Sequence, residues 1–552
     1  MLATKPYKKE IKIVKEKNAN TEIDTSYEVA LSKYRKNKNK KMFEKVIEDM
    51  MLDKHFTETY KHCINDIKGI LKQHISSYRK RFAILSLLGD SLKILRDLKI
   101  YTDSKIPKME HMQDLVEKLK KYVKIGVGEQ AKYGEVMTPI STVIEKLNKL
   151  PRHVWSNPKL KWFDSCNGSG AYLAMVVAGL MKGLVEWEPD EEKRYKHILE
   201  NMVYAGELQP KNMFLWMFLI DPYDTYNLNI YTGSYLEKEF DNHMKEVWGI
   251  KRFNIIIGNP PYQIQDGGNA ASAKPLYNLF VEKAITMCDI LLYITPSRWF
   301  AGGKGLDKYR QNMLNCSKIE LIKHFPGNGS DVFGSSVDIP GGVSYFLYNN
   351  SYSGLCSFNG IEIDLSANDI VLMPENYSLV NKMSKYTSIS EICNGRGDNT
   401  FGIQTNDERL VDDKSSDSHI TCYVSQQKGF KKWIDKTVIK QHNDIDSWKV
   451  ITARANGEKP NFGNKFVGTP DDVCSGSYIW FITKTEEEAK SLISYMNCKL
   501  INYLLSLRKI SQDIKPDTCK WIPIVPFDRI WDDEQLFEYF GISEDEKKLI
   551  SK

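Results

Sequence analysis

Ten cysteines are spread along the 552 residues, yet no two of them stand as C-x-x-C. Zinc-type spacing and a disulfide framework are therefore not expected, and a reducing compartment is. Long hydrophobic runs are missing too. Nothing approaches the roughly 20 apolar residues of a spanning helix, and the lysine-rich stretch 1–17 has no apolar core of a secretory signal. Neither sign of charge dominates: 77 Lys and Arg face 71 Asp and Glu, a net +6. Such a balance permits a polyanionic partner without demanding one. No internal repeat and no low-complexity tract is found. These absences predict a cytoplasmic protein with no membrane association and no metal site.

Apolar residues make up 42% of the chain, enough at this length for more than one buried core. The 11% of aromatics suits either a large core or base-stacking surfaces. Residues 1–25 are charged and aperiodic, which predicts disorder. From 27 to 125 the pattern is helical, as in the stripe Leu85, Leu87, Leu88, Leu92, Ile94, Leu95, Leu98. The basic run Tyr34–Lys45 reads as a solvated face or as a phosphate contact. Between 128 and 350 short apolar runs alternate with helical stretches: Trp162–Asp164, Met202–Glu207, Asn227–Tyr231, Asn254–Gly258, Ile290–Thr295 and Val343–Tyr348. That alternation predicts βαβ units and a mostly parallel, twisted α/β sheet. Beyond 351 turn residues are frequent and basic and aromatic residues interleave, which predicts a separate α+β domain. The expected organisation is thus a helical region 1–127, an α/β domain 128–350 and a domain 351–552.

The most specific motif is Asn259-Pro260-Pro261-Tyr262, directly after the apolar run Phe253–Gly258. It falls at the carboxyl end of a predicted buried strand, where open α/β sheets bind ligands. Two prolines stiffen the loop. The Asn259 side-chain oxygen and the Pro260 carbonyl can then accept two hydrogen bonds from one amino group, while Tyr262 offers a flat face for a planar substrate. A plain strand-to-helix turn with a buried tyrosine is the competing reading. Upstream, Phe163-Asp164-Ser165-Cys166-Asn167-Gly168-Ser169-Gly170 opens a predicted helix Ala171–Leu180. Its glycines let a ligand approach backbone N–H groups at a helix start. Nucleotide-binding folds in general share such a turn. Glu207, in Tyr204-Ala205-Gly206-Glu207-Leu208-Gln209-Pro210, ends the second predicted strand, where an acid accepts from two ribose hydroxyls; an exposed turn glutamate reads equally well. Thr138-Pro139, closing Gly134-Glu135-Val136-Met137-Thr138-Pro139, precedes a predicted helix Ile140–Leu150. It supplies a hydroxyl and free N–H groups to a carboxylate, or simply caps the helix.

In this order the motifs resemble the gamma class of DNA adenine-N6 methyltransferases of type II restriction–modification systems. The resemblance runs from about Gly128 to the C-terminus. It includes Leu276–Phe280, Ile294–Trp299, Asp331-Val332-Phe333 and the tail Val525–Asp528 with Asp532–Leu536. It implies a Rossmann-like class I methyltransferase sheet and a C-terminal target-recognition domain. The implied cofactor is S-adenosylmethionine, held by Thr138, Pro139, Asp164, Asn167, Gly168, Gly170, Glu207 and Ser234. The implied catalytic residues are Asn259, Pro260, Pro261 and Tyr262, with Phe333 a candidate second contact to a flipped adenine. Double-stranded DNA is the implied partner, contacted by candidates Arg396, Lys431, Lys432, Arg454 and Lys465; a separately encoded restriction endonuclease is a further candidate partner. The chain departs from the family at Ser165, where proline usually follows the acid, and at Asn254, often an acid. It departs again at Gly233-Ser234, usually Gly-Asp, where Ser234 or Tyr235 stands in for the contact to the cofactor's adenine. Alternatives are an RNA adenine or protein-glutamine methyltransferase on the same fold, or a catalytically inactive DNA-binding specificity subunit. No D…E-x-K nuclease pattern is found in 1–125.

Overall fold

The computed structural model describes residues 43–89, 105–122, 138–264, 274–301, 305–334, 338–339, 341–397, 399–425, 429–440, 442–457, 461–509 and 512–551. Several expectations lie outside them: disorder in 1–25, most of the basic run from Tyr34, the stripe residues Leu92 to Leu98, and Gly134–Met137. The chain divides into two compact units, Met1–Ala367 and Asn368–Lys552.

The first unit is built on a nine-stranded sheet. Its strands are β1 Trp162–Asp164, β2 Val203–Glu207, β3 Asn229–Thr232, β4 Phe253–Gly258, β5 Cys288–Pro296, β6 Ile319–Phe325, β7 Val343–Asn349, β8 Cys356–Phe358 and β9 Ile361–Ile363. Across the sheet they run β9-β8-β6-β7-β5-β4-β1-β2-β3. β1 to β5 are mutually parallel, whereas β7 is antiparallel to both β5 and β6. The reversal of strand order beside β1 opens a crevice at the carboxyl ends of β4, β1 and β2. The central strands are apolar because both faces are covered: Ile255, Ile256 and Ile257 of β4 are fully buried.

Helices α1 Ile64–Lys72, α2 Ser77–Leu88, α3 Met112–Tyr122, α4 Ile140–Leu147, α5 Ala171–Gly183 and α6 Pro210–Ile220 belong to this unit. Among the described residues, the N-terminal helices pack into the core of the sheet rather than forming one of their own. Phe43, Ile47, Leu85 and Leu119 share one apolar cluster with Leu173, Phe214 and with Ile255 and Ile257 of β4. The guanidinium of Arg81, fully buried, donates to the Asp221 carbonyl and to Asp224 just past α6. An isolated buried guanidinium is prohibitive, and these acceptors offset its desolvation. The division between units also differs from the expected 350, because β8 and β9 extend the same sheet and carry the first unit to Ala367.

The second unit is α+β. A four-stranded sheet orders β10 Cys393–Asn394, β16 Tyr478–Thr483, β13 Trp448–Ala453 and β14 Lys465–Gly468. A three-stranded sheet orders β12 Lys431–Asp435, β11 His419–Tyr423 and β15 Val473–Cys474. Its terminal helices Asp533–Phe540 and Glu544–Ile550 begin at capping boxes, Asp532 with Gln535 and Ser543 with Glu546. Gly541, in the left-handed region, ends the first of them.

Among the described residues no helix is long and apolar enough to cross a membrane, and no group of three or more His, Cys, Asp or Glu is placed to hold a metal ion.

Candidate active site

The motifs occupy the ends of adjacent strands. Asn259 follows β4, the glycine-rich turn follows β1, Glu207 closes β2 and Ser234 lies just past β3, in the spatial order β4-β1-β2-β3. At the centre the Asp164 carboxylate is fully buried; its Oδ1 accepts from the Cys166 N–H at 3.0 Å, and Oδ2 has no protein partner. Burial pushes this carboxyl up to about 7. The Asn167 N–H donates to the Gly206 carbonyl at 2.9 Å, while both polar atoms of its buried side-chain amide lack a protein partner. Buried amides are rarely left so, and these atoms fit a polar ligand in the crevice.

Glu207 ties the turns together. Its Oε2 accepts from the Gly168 N–H at 2.7 Å and its Oε1 from the Gln209 N–H at 2.8 Å, while its carbonyl accepts from the Gly233 N–H at 2.9 Å. The glutamate is 5% exposed, so the exposed-turn reading fails. Gly168 and Gly170 both sit at positive φ, +53° and +91°. At Gly170 the reason is packing: a Cβ there would come within 2.3 Å of the Trp216 ring. Ser234 is half-buried beside this turn. Tyr235 turns away, its hydroxyl donating to Met287 Sδ at 3.3 Å within the core. It therefore does not stand in for the missing acid.

The Asn259 Nδ2 donates to the Thr138 Oγ1 at 3.1 Å, which joins the first and last motifs. Thr138 makes no helix cap: Pro139 is the N-cap of α4, with no side-chain cap bond. Tyr262 is 8% exposed, its ring edge-on to Phe333 with centroids 6.4 Å apart. Phe333 therefore reaches the motif from the far side of the sheet order, while the tyrosine face is covered rather than open. Asn254 sits at the opposite end of β4; its Oδ1 accepts from the Lys161 N–H and its Nδ2 donates to Asp289. It has no part in the crevice. Two residues escaped the sequence reading, Lys146 and Tyr172. The signal for Lys146 was a lysine on the buried stripe of α4 with Ile140, Val143 and Leu147.

In the second unit most of the basic candidates are engaged by acceptors of the protein itself. Arg396 and Arg454 both pair with Asp513, at 3.8 and 3.6 Å. Lys432 is paired with Asp412, and the Lys465 ammonium donates to the Gly463 carbonyl at 3.0 Å, its pKa lowered by burial. Lys431 is exposed, 5.4 Å from the Trp433 ring centroid.

Strand order and the antiparallel seventh strand are those of the class I methyltransferase fold. Residues 186–333 match the Eco57I restriction-modification methylase family. Over 294 residues the chain is 26% identical to an uncharacterized adenine-specific methylase of Mycoplasma pneumoniae, covering 41% of this chain and 69% of that protein. Among solved structures it resembles the type IIL restriction-modification enzyme MmeI in complex with DNA, at 11% identity and TM-score 0.41, covering 74% and 69% of the two chains. The DrdV–DNA complex gives 11% identity and TM-score 0.44, covering 89% and 71%. At these values the strand order, not the superposition, carries the fold assignment.

Proposed function

We propose that the chain is a site-specific DNA methyltransferase that methylates N6 of an adenine flipped out of double-stranded DNA, as part of a restriction–modification or related system. The observation that carries this reading is the placement of Asn259-Pro260-Pro261-Tyr262 on the strand next to the glycine-rich turn. With Nδ2 committed to Thr138, the Asn259 amide meets a substrate through Oδ1, an acceptor suited to an amino group. Asp164, Asn167, Gly168 and Glu207 hold the cofactor in this reading, with Thr138 and Pro139 beside its amino-acid part and Ser234 beside its adenine. S-adenosylmethionine, when bound, supplies a methyl group already activated by a sulfonium charge. What remains for the protein is positioning and polarisation of the amine. Asn259 Oδ1 and the Pro260 carbonyl orient the adenine N6, and Tyr262 stacks on the ring. An adenine cannot present N6 to a buried crevice while stacked in a duplex, so flipping is required. The Tyr262–Phe333 pair must part to admit the base. Residues 368–552 read the sequence in this scheme, with Lys431 the best-placed candidate contact.

Expression of the chain in a host lacking adenine methylation, followed by sequencing that detects N6-methyladenine, tests the reading directly. One methylated sequence motif is expected. Unmodified DNA with methylated RNA, or with a methylated glutamine in protein, would replace it with one of the alternatives. Cofactor placement has its own measurement. Glu207→Ala removes two hydrogen bonds to the turns as well as the ribose acceptor, so titration calorimetry should show S-adenosylmethionine affinity weakened about tenfold or more. Unchanged affinity would remove the cofactor from this crevice.

A further inference from the structure

A circuit of buried polar contacts lies beneath the catalytic loop. Lys146, on α4, is fully buried. Its Nζ donates to the Tyr172 hydroxyl oxygen at 2.5 Å and to the Gly258 carbonyl at 3.2 Å. Burial pushes the hydroxyl of Tyr172, on α5, well up, and the Thr138 side chain pulls against that rise. Thr138 in turn accepts from the Asn259 Nδ2 at 3.1 Å. Gly258 and Asn259 are neighbours in the chain, so the Lys146 and Thr138 contacts meet on them. It grips the loop twice, once by the peptide carbonyl that precedes Asn259 and once by the asparagine amide itself. The members come from α4, α5, the end of β4 with the loop after it, and Thr138 two residues before α4, so none of this is local.

Burying a lysine amine costs several kcal/mol unless it is well bonded. Burial pushes the Lys146 ammonium well down from its usual range, against the opposing pull of Asp164. A methionine of similar volume would avoid that cost. The amine is retained at a site where its hydrogens fix the peptide on which Asn259 turns. Rotating either that peptide or the asparagine amide would swing Oδ1 away from the substrate amine.

We propose that Lys146 is a positioning residue, acting through Tyr172, Thr138 and the Gly258 carbonyl to fix the direction in which Asn259 presents its acceptor. This rests on the methyltransferase reading for its catalytic consequence, but not for the circuit itself.

The experiment uses the full chain with Lys146→Met, Lys146→Gln, Tyr172→Phe and Asn259→Ala, alone and combined, each checked for folding by thermal melting. Lys146→Met is expected to lower kcat at least tenfold, with KM for DNA and cofactor affinity within about threefold of wild type. Lys146→Gln, which keeps a donor, should recover part of the loss. In the Asn259→Ala background Lys146→Met should cost nothing further, because a residue acting through Asn259 has no separate effect once Asn259 is gone. A general packing role would instead lower both backgrounds by the same factor, and that result would overturn the proposal. Hydrogen exchange supplies a readout without catalysis: peptides spanning 259–262 should exchange at least tenfold faster in Lys146→Met and in Tyr172→Phe, while those of β1 stay unchanged. Unaltered exchange in the loop would overturn the circuit whatever the substrate. Accelerated exchange in a chain whose wild type leaves DNA unmodified would keep the circuit and remove the methylation reading.

Discussion

Asn259→Ala is expected to lower kcat for adenine methylation by on the order of a hundredfold or more, while S-adenosylmethionine affinity stays close to wild type. The side chain stands on the loop after β4, outside the β1 and β2 turns assigned to the cofactor, and meets the cofactor's assigned residues through Thr138, so removing it should leave cofactor binding largely intact. What is lost is an acceptor aimed at the reacting amine. That contact tightens as the nitrogen becomes positively charged, so its loss falls on kcat rather than on ground-state binding. Tyr262 provides the contrast. Tyr262→Ala gives up about 1–3 kcal/mol of base stacking, whereas Tyr262→Phe keeps a π-face. Single-turnover methylation of a duplex separates the two roles, with melting curves confirming that each variant is folded. If the loop were only a strand-to-helix turn, Asn259→Ala would melt lower yet methylate at the wild-type rate per folded molecule. That outcome would sink the catalytic assignment.

Continuous apolar runs located β1, β2, β4, β5 and β7 to within a few residues, because strands covered on both faces can carry little else. β6 went unread for the complementary reason. Ile319-Glu320-Leu321-Ile322-Lys323-His324-Phe325 alternates buried and half-buried positions and carries Lys323 and His324 among them. The short β8 and β9 gave no period at all, and the first unit therefore ends at Ala367 rather than near 350. At the site the same division holds. Asn259, Glu207 and the glycine-rich turn were legible because each motif is contiguous and sits at a strand end. The Thr138–Asn259 bond and the Lys146–Gly258 bond were not, since they depend on how α4 packs over β4. The shared Asp513 of Arg396 and Arg454 is of that kind too: two arginines that read as candidate phosphate or base contacts, or as ordinary solvated charge, are turned toward one carboxylate.

Gly258→Ala is expected to injure both stability and rate. Gly258 ends β4 at φ +143°, a conformation that side chains rarely adopt, and a Cβ there would lie 2.6 Å from Asp164 Oδ1 and 3.4 Å from Cys166 Sγ. The carboxylate has little room to retreat, since the aspartate is fully buried and this oxygen already accepts the Cys166 N–H. The glycine's own carbonyl is held by Lys146, which limits movement of the strand end. Backbone strain of about 1–3 kcal/mol and overpacking of about 1–3 kcal/mol combine to a loss of roughly 2–6 kcal/mol. Thermal melting should therefore fall by several degrees. Any relief must come from the loop, which carries Asn259 with it, so kcat in the surviving folded enzyme should drop ten- to a hundredfold. Gly249→Ala separates the two contributions. That glycine is also at positive φ, +69°, but a Cβ there would meet nothing within 4 Å. Its replacement should cost about 1 kcal/mol of strain and leave kcat unchanged. Should both variants melt alike and methylate alike, the close approach of Gly258 to Asp164 would have no bearing on catalysis.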